Sequence, residues 1–313
     1  MICATYVVAY CKVSRLPVFS VYGNRKETDM RLQCRGLKKS FGDHEVLKGI
    51  DLEIGEGCIF GMLGPSGAGK TTLIKILTGQ LGFNDGEVTA FGKNVRDLSG
   101  EDKKRFGIMM DSFGLYERFS CGENLEVFAD IYGVKKERIK QSLKDVGLDG
   151  TYGVGASKLS KGMRARLQLA RAFMHDPDVI FLDEPTSGLD PQTSKSIHKL
   201  ILDKKREGCT IFLTTHNMEE AYELCDEVVL LNEGIIVEKG RPDEICRRYN
   251  KGKKIKIHLK EGEDIELAQD APETPDRICN LMKECKIETI HSSESTLETV
   301  FLELTGRKLE EEG

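Results

Sequence analysis

From Arg31 the chain alternates apolar and polar positions, and Arg31–Leu37 and Val46–Ile54 both repeat with period two. That is the pattern of half-buried antiparallel strands, and Gly42-Asp43 between them carries turn chemistry. Cys58–Leu63 breaks the rhythm with a continuous apolar run, as a strand covered on both faces requires. Glycines follow, then Thr72–Leu81, where Leu73, Ile76, Leu77 and Leu81 share one helical face. Strand, glycine-rich loop and helix open a βαβ unit. Three more short apolar runs, Val179–Leu182, Thr210–Leu213 and Val228–Leu231, predict further buried strands. Ser194–Lys205, with Ile197, Leu200 and Ile201 together, predicts the helix between the first two of these. Apolar strands alternating with helices argue for a parallel sheet in an α/β core.

Residues 115–175 keep helical periodicity without β-rich runs and predict a helical insertion in that core. Leu231–Val237 reads as a hairpin with its turn at Asn232–Gly234. After Arg248 the composition shifts. Lys254–Leu259 alternates as a strand, Ala271, Thr274 and Pro275 break the chain, and Asp276–Glu284 and Leu297–Leu304 are amphipathic. The expected organisation is an N-terminal extension over 1–29, with Met30 a second candidate start, a main domain over 30–248 and a small α+β module over 249–313.

Composition narrows the class. With 39% hydrophobic and 31% charged residues the chain is of globular type. The net charge is −5, and residues 251–313, with ten basic and fifteen acidic side chains, account for the whole excess. No basic domain points to nucleic acid, and none is expected as a partner. The ten cysteines include no C-x-x-C pair, so positions such as Cys58 and Cys209 read as small core residues in a reducing compartment, the cytosol. No stretch approaches the roughly 20 apolar residues of a membrane span. Ile2–Tyr10 is cut short by Lys12 and Arg15 and lacks the charged lead of a signal peptide.

Gly64-Pro65-Ser66-Gly67-Ala68-Gly69-Lys70-Thr71 satisfies G-x-x-x-x-G-K-[ST] and continues through Thr72 into the helix. Glycines let successive backbone N–H groups turn inward around phosphate oxygens, and the helix directs its positive end at them. In such a P-loop Lys70 reaches the β and γ phosphates and Thr71 binds Mg²⁺. A glycine-rich turn beside an incidental Lys-Thr would read alike, but the flanking strand and helix favour the cradle. Asp183 and Glu184 end the run Val179–Leu182. Asp183 is placed to hold Mg²⁺ through water, and Glu184 to polarise the attacking water. The duller alternative is a surface Asp-Glu opening a turn before Pro185.

Between these motifs lies Lys158-Leu-Ser160-Lys161-Gly162-Met163-Arg164, which resembles the LSGGQ signature of ATP-binding-cassette ATPases. Pro185-Thr-Ser187-Gly-Leu-Asp190 resembles their D-loop, and Thr214-Thr-His216 their switch histidine. The match covers roughly 31–245, with five motifs in register. The resemblance implies a P-loop ATPase with an antiparallel β subdomain, a RecA-like core and a helical insertion, which uses ATP and Mg²⁺. It implies a head-to-tail dimer with itself or a homologous cassette, in which Ser160, Lys161, Gly162 and Met163 complete the partner's ATP site. Ser160 also reads as an ordinary N-cap, and both roles are compatible. By the same resemblance His216, which taken singly would be a packed or surface histidine, contacts the γ-phosphate. Phe41 stacks on adenine or merely ends a strand.

One position departs from the family. The glutamine expected after Phe106–Met110 is Asp111, which either binds the metal or points away. Lys161 replaces the usual signature glycine and adds positive charge. Phe113, Leu115, Tyr116 and Phe119 either receive a permease helix or pack within the helical insertion.

The signature and the segment Leu297–Gly306 resemble drug-resistance and lantibiotic-type exporter cassettes. The implied function is the ATP-hydrolysing subunit, peripheral at the cytoplasmic face, that drives export of a drug, peptide or lipid-like substrate through a separate integral-membrane permease. The rivals are a soluble ABC-type ATPase in translation, repair or chromosome maintenance, and a small-molecule kinase. One P-loop, no sustained heptads and no cysteine pairs argue against the first, and the signature and D-loop against the second.

Overall fold

The computed structural model describes residues 30–110, 114–250, 254–292 and 295–306. The extension 1–29, Asp111 and Phe113 lie outside the described residues. β1 (Met30–Phe41) and β2 (His44–Gly55) form the expected hairpin, several residues longer than the alternation suggests, with Phe41 opposite His44 across the turn. β3 (Ile59–Leu63) runs into the glycine loop and α1 (Lys70–Leu77). β4 (Asp85–Ala90) and β5 (Lys93–Asn94) extend the antiparallel sheet to the order β2-β1-β4-β5. The short helix α2 (Gly100–Lys103) precedes β6 (Phe106–Met109), and α3 (Cys121–Tyr132), α4 (Lys136–Asp145) and α5 (Lys161–Phe173) make the helical insertion.

The second half continues with β7 (Val179–Asp183), α6 (Pro191–Arg206), β8 (Thr210–Thr215), α7 (Met218–Leu224), β9 (Glu227–Asn232), β10 (Ile235–Gly240) and α8 (Pro242–Tyr249). The central sheet has the order β10-β9-β3-β8-β7-β6, parallel except for β10. Glu233 and Gly234 both take positive φ in the β9–β10 turn, as a tight two-residue hairpin demands. The Lys48 amide donates to the Gly234 carbonyl at 2.9 Å, so this turn pins the two sheets together.

The apolar runs in the sequence become two cores, one on each face of the central sheet. Ile59, Leu63, Ile180, Leu182, Ile211, Leu213, Val228 and Leu230 face the helical side. Their neighbours Phe60, Met62, Val179, Phe181, Phe212, Val229 and Leu231 face α1 and the antiparallel sheet. Period-two alternation therefore persists inside a wholly apolar run, because both faces are covered. Phe60, Phe212, Phe181, Phe106 and Phe91 form one row across the second face, with successive ring centroids 5.2–5.8 Å apart.

In these two sheets β4, β5 and β6 escape the sequence pattern. β4, Asp-Gly-Glu-Val-Thr-Ala, has too few apolar residues to announce itself and forms because β1 offers a free edge. In β6 a Cβ at Gly107 would run into the Ala172 carbonyl, so this strand is chosen for its closeness to α5.

The C-terminal part separates into two kinds of packing. β11 (Lys254–Leu259), β12 (Asp264–Ala268), α9 (Thr274–Lys283) and β13 (Ile287–Ser292) enclose a small core around Ile257, Leu259 and Leu267. The last helix, α10 (Leu297–Thr305), instead places Leu297, Val300 and Phe301 in the main core, against α7 and α8. No helix among the described residues is long and apolar enough to cross a membrane.

Candidate active site

β3, β8 and β7 are adjacent in the sheet, and each ends in residues singled out above. The loop after β3 carries Gly64–Gly69, the end of β7 carries Asp183 and Glu184, and His216 follows β8. Parallel strands thus deliver these groups to one crevice at their C-terminal ends, where open α/β sheets bind ligands.

The loop's backbone needs its glycines. Gly67 has φ +77° and Gly69 φ +107°, the left-handed region. Gly64 is required for space, since a Cβ there would collide with the Leu231 carbonyl oxygen. Gly64→Ala should therefore lower unfolding free energy by about 2–3 kcal/mol through forced displacement of β9. Gly67→Ala, where no described residue lies within 4 Å of the added Cβ, should cost about 1 kcal/mol through its φ alone. Urea denaturation of both variants checks this, and equal midpoints would contradict it.

Around a cavity of about 340 Å³ stand Val46, residues 65–72 and Glu184. Lys70 is buried, and its ammonium is turned back to the Gly64 carbonyl at 2.6 Å and the Pro65 carbonyl at 3.2 Å, with Glu184 Oε1 at 3.4 Å. Thr71 Oγ1 donates to Asp183 Oδ2 at 2.8 Å, and the Thr214 hydroxyl bonds the other oxygen of Asp183. Glu184 Oε2 lies 3.0 Å from His216 Nδ1. Glu184 itself has φ +50°, a strained conformation for a residue with a Cβ. The structure therefore brings together the loop, Lys70, Thr71, Asp183, Glu184 and His216. A hydroxyl and a carboxylate already within hydrogen-bonding distance fit the oxygen ligands a Mg²⁺ ion takes.

Other sequence candidates lie elsewhere. Ser160 caps α5, accepting from the Met163 amide at 3.2 Å, and Gly162 is packed against Thr193. Ser160–Met163 do not line the cradle of their own chain. The Lys161 ammonium sits over Gly188, so the signature and the 185–190 loop touch within one chain. Asp190 caps α6 through the Thr193 amide at 2.9 Å, and hydrogen bonds from Thr193 hold its carboxyl below the ordinary value. Ser187 is exposed. Phe41 is half exposed with the Lys39 ammonium 4.7 Å over its ring, and Val46, not Phe41, lines the cradle cavity. The Tyr116 and Phe119 rings lie 5.4 Å apart, tilted by 40°, on the surface, whereas Leu115 packs inward.

Sequence reasoning missed Val46, Thr186, His198 and Glu220. Of the structural partners, only Thr214 and Thr215 carried a signal, as the polar end of an otherwise apolar run.

Comparison with known proteins gives the class. The family described as ABC transporter matches residues 47–187. The chain is 38% identical over 284 residues to a fluoroquinolones export ATP-binding protein of Mycobacterium tuberculosis, covering 89% of this chain and 94% of that one. It is 32% identical over 302 residues to Nod factor export ATP-binding protein I of Bradyrhizobium diazoefficiens, covering 90% and 99%. A solved ATP-binding subunit of an ABC transporter superposes with TM-score 0.64 at 27% identity, over 70% of this chain and 93% of that one. A dimeric ATP-binding cassette bound to ADP and Pi shares the fold, with TM-score 0.61 at 24% identity.

The chain belongs to the ABC transporter family. Within it, it is an ATP-binding subunit, an ATPase coupled to export.

Proposed function

We propose that the chain drives export of an amphipathic small molecule or lipid-like compound through a separate permease, hydrolysing ATP as a head-to-tail dimer at the cytoplasmic face. The observation that carries the reading is the separation of the two half-sites: Lys70, Asp183, Glu184 and His216 meet in one crevice while Ser160–Met163 do not line its cavity. A second chain supplies the missing half. The named export relatives support the substrate class, and the half-exposed Tyr116 and Phe119 offer the permease an aromatic face.

The steps follow from the groups present. Backbone N–H groups of the loop and the N-terminus of α1 receive the phosphates, and the Lys70 ammonium exchanges the Gly64 carbonyl for phosphate oxygens. Thr71 and Asp183 would hold Mg²⁺, with Asp111 a further candidate in sequence, and the ion would supply charge neutralisation to the phosphates. Glu184 orients the attacking water and accepts its proton, and His216 steadies that carboxylate and faces the γ-phosphate. Ser160 and the α5 N-terminus of the partner close the site and exclude bulk water.

The experiment is purification of the tagged chain from mildly solubilised native membranes, followed by reconstitution of whatever remains stoichiometrically bound. A multi-span partner and ATP-dependent movement of fluorescent amphiphiles are expected. A partnerless ATPase would return the weight to the soluble alternative.

A further inference from the structure

Beside the crevice lies a second cavity of about 450 Å³, walled by the 184–189 turn, α6, the start of α7 and His216. Its floor is Glu220, a carboxylate that is 2% exposed. Thr186 Oγ1 donates to Glu220 Oε1 at 2.6 Å, and His198 Nε2 approaches the same oxygen at 3.1 Å. The other ring nitrogen of His198 lies 3.5 Å from Glu223 Oε2, one helical turn along α7. Among the described residues none donates to Glu220 Oε2 with hydrogen-bond geometry. A buried carboxylate with one oxygen unsatisfied is costly unless a cation compensates it, and the His198 ring is the group in contact.

The position of Glu220 links two loops. Thr186 is two residues beyond Glu184, and the Glu184 carbonyl closes a turn onto the Ser187 amide at 3.2 Å. Glu220 is four residues beyond His216, and its amide, with that of Glu219, is capped by Asn217 Oδ1 at 3.0 Å. The Asn217 amide in turn donates to Thr215 Oγ1 at 3.0 Å. One side chain therefore anchors both the turn that aims Glu184, at its strained φ of +50°, and the turn that aims His216.

We propose that Glu220 and His198 are positioning residues for hydrolysis: Glu220 fixes the Glu184 and His216 turns to one point, and His198, against the same carboxylate oxygen as Thr186, holds that anchor in place from α6. The inference rests on the reading of Glu184 and His216 as the hydrolytic pair. The hydrogen bond to Glu220 raises the His198 pKa, more than burial lowers it, and the charges of Glu220 and Glu223 add to the effect. Burial alone would raise the Glu220 pKa, but bonds from His198 and Thr186 and the nearby Thr215 hydroxyl bring it below its ordinary value. The other charged groups around the cavity are Glu184, Lys195, His216 and Glu219. A group whose pKa is raised on folding contributes below its unfolded value and ceases to contribute as pH rises through the folded one. The clamp therefore loosens on the alkaline side.

The test compares ATPase turnover of the full chain with Thr186→Val, Thr186→Ser, Glu220→Gln and His198→Gln, using Glu184→Gln as the benchmark, between about pH 6 and pH 9. Binding of a fluorescent ATP analogue is measured in parallel. Thr186→Val and Glu220→Gln should lower kcat on the order of tenfold with analogue affinity unchanged, as displaced catalytic groups do. Thr186→Ser should retain wild-type turnover. His198→Gln should remove the alkaline decline of kcat. If Glu220→Gln fails to fold, the Thr186 pair decides alone. Wild-type turnover in Thr186→Val, with Glu184→Gln inactive, overturns the proposal. An active Glu184→Gln would instead remove the hydrolytic reading beneath it.

Discussion

Glu184→Gln is expected to retain ATP and to lose hydrolysis by on the order of 100-fold or more, the contribution of a positioned general base. The substitution preserves shape, so the backbone at φ +50° need not change. It removes the negative charge that faces the Lys70 ammonium at 3.4 Å and His216 Nδ1 at 3.0 Å. An amide at that place cannot accept the water's proton. In the proposed cycle reopening of the dimer follows hydrolysis, so the ATP-bound dimer should persist long enough to be isolated. Phosphate release at saturating ATP, with size-exclusion chromatography of the same sample, measures both effects. A variant that turns over at near the wild-type rate would contradict the role given to this carboxylate.

Phe301→Ala should destabilise the whole ATPase by about 3–5 kcal/mol, the range for emptying a buried aromatic position. Phe301 is 1% exposed and lies in the core that includes Leu63, Leu182 and Leu213 beneath the crevice. The cavity would open among α7, α8 and α10, next to the helix that carries Glu220. Leu267→Ala is the control, because Leu267 belongs to the separate small core with Ile257 and Leu259. It should leave the denaturation midpoint of the ATPase unchanged. Circular dichroism in urea with and without ATP distinguishes the two, and a loss below about 1 kcal/mol for Phe301→Ala would show that α10 is dispensable.

The phosphate loop was legible because its chemistry is contiguous: glycines, Lys70 and Thr71 must follow one another if the backbone is to wrap an anion. The buried strands were legible because double-sided cover demands unbroken apolar runs such as Val179–Leu182. β4 and β6 were not, since Gly86 and Gly107 are there for close backbone approach, which leaves no hydrophobic trace. His198 was hidden for a related reason. Its helix shows in sequence by Ile197 and Ile201, and nothing in a lone histidine beside them tells that Glu220, on another helix, lies across the gap. Amphipathicity marked Leu297–Leu304 as a helix without saying which core it enters, because α9 and α10 display the same kind of apolar face.

The return of α10 to the main core has a consequence for synthesis on the ribosome. Everything from β3 to α8 is made before the small sheet, yet Leu297, Val300 and Phe301 emerge after it. At 5–20 residues per second, the roughly 50 residues between α8 and α10 take on the order of 3–10 s. Throughout that interval the nascent ATPase presents an uncovered apolar groove along α7 and α8, and by its end the small sheet has all its parts and can fold first. The order of completion thus runs against the order of translation, and the groove is the place where a chaperone would be needed.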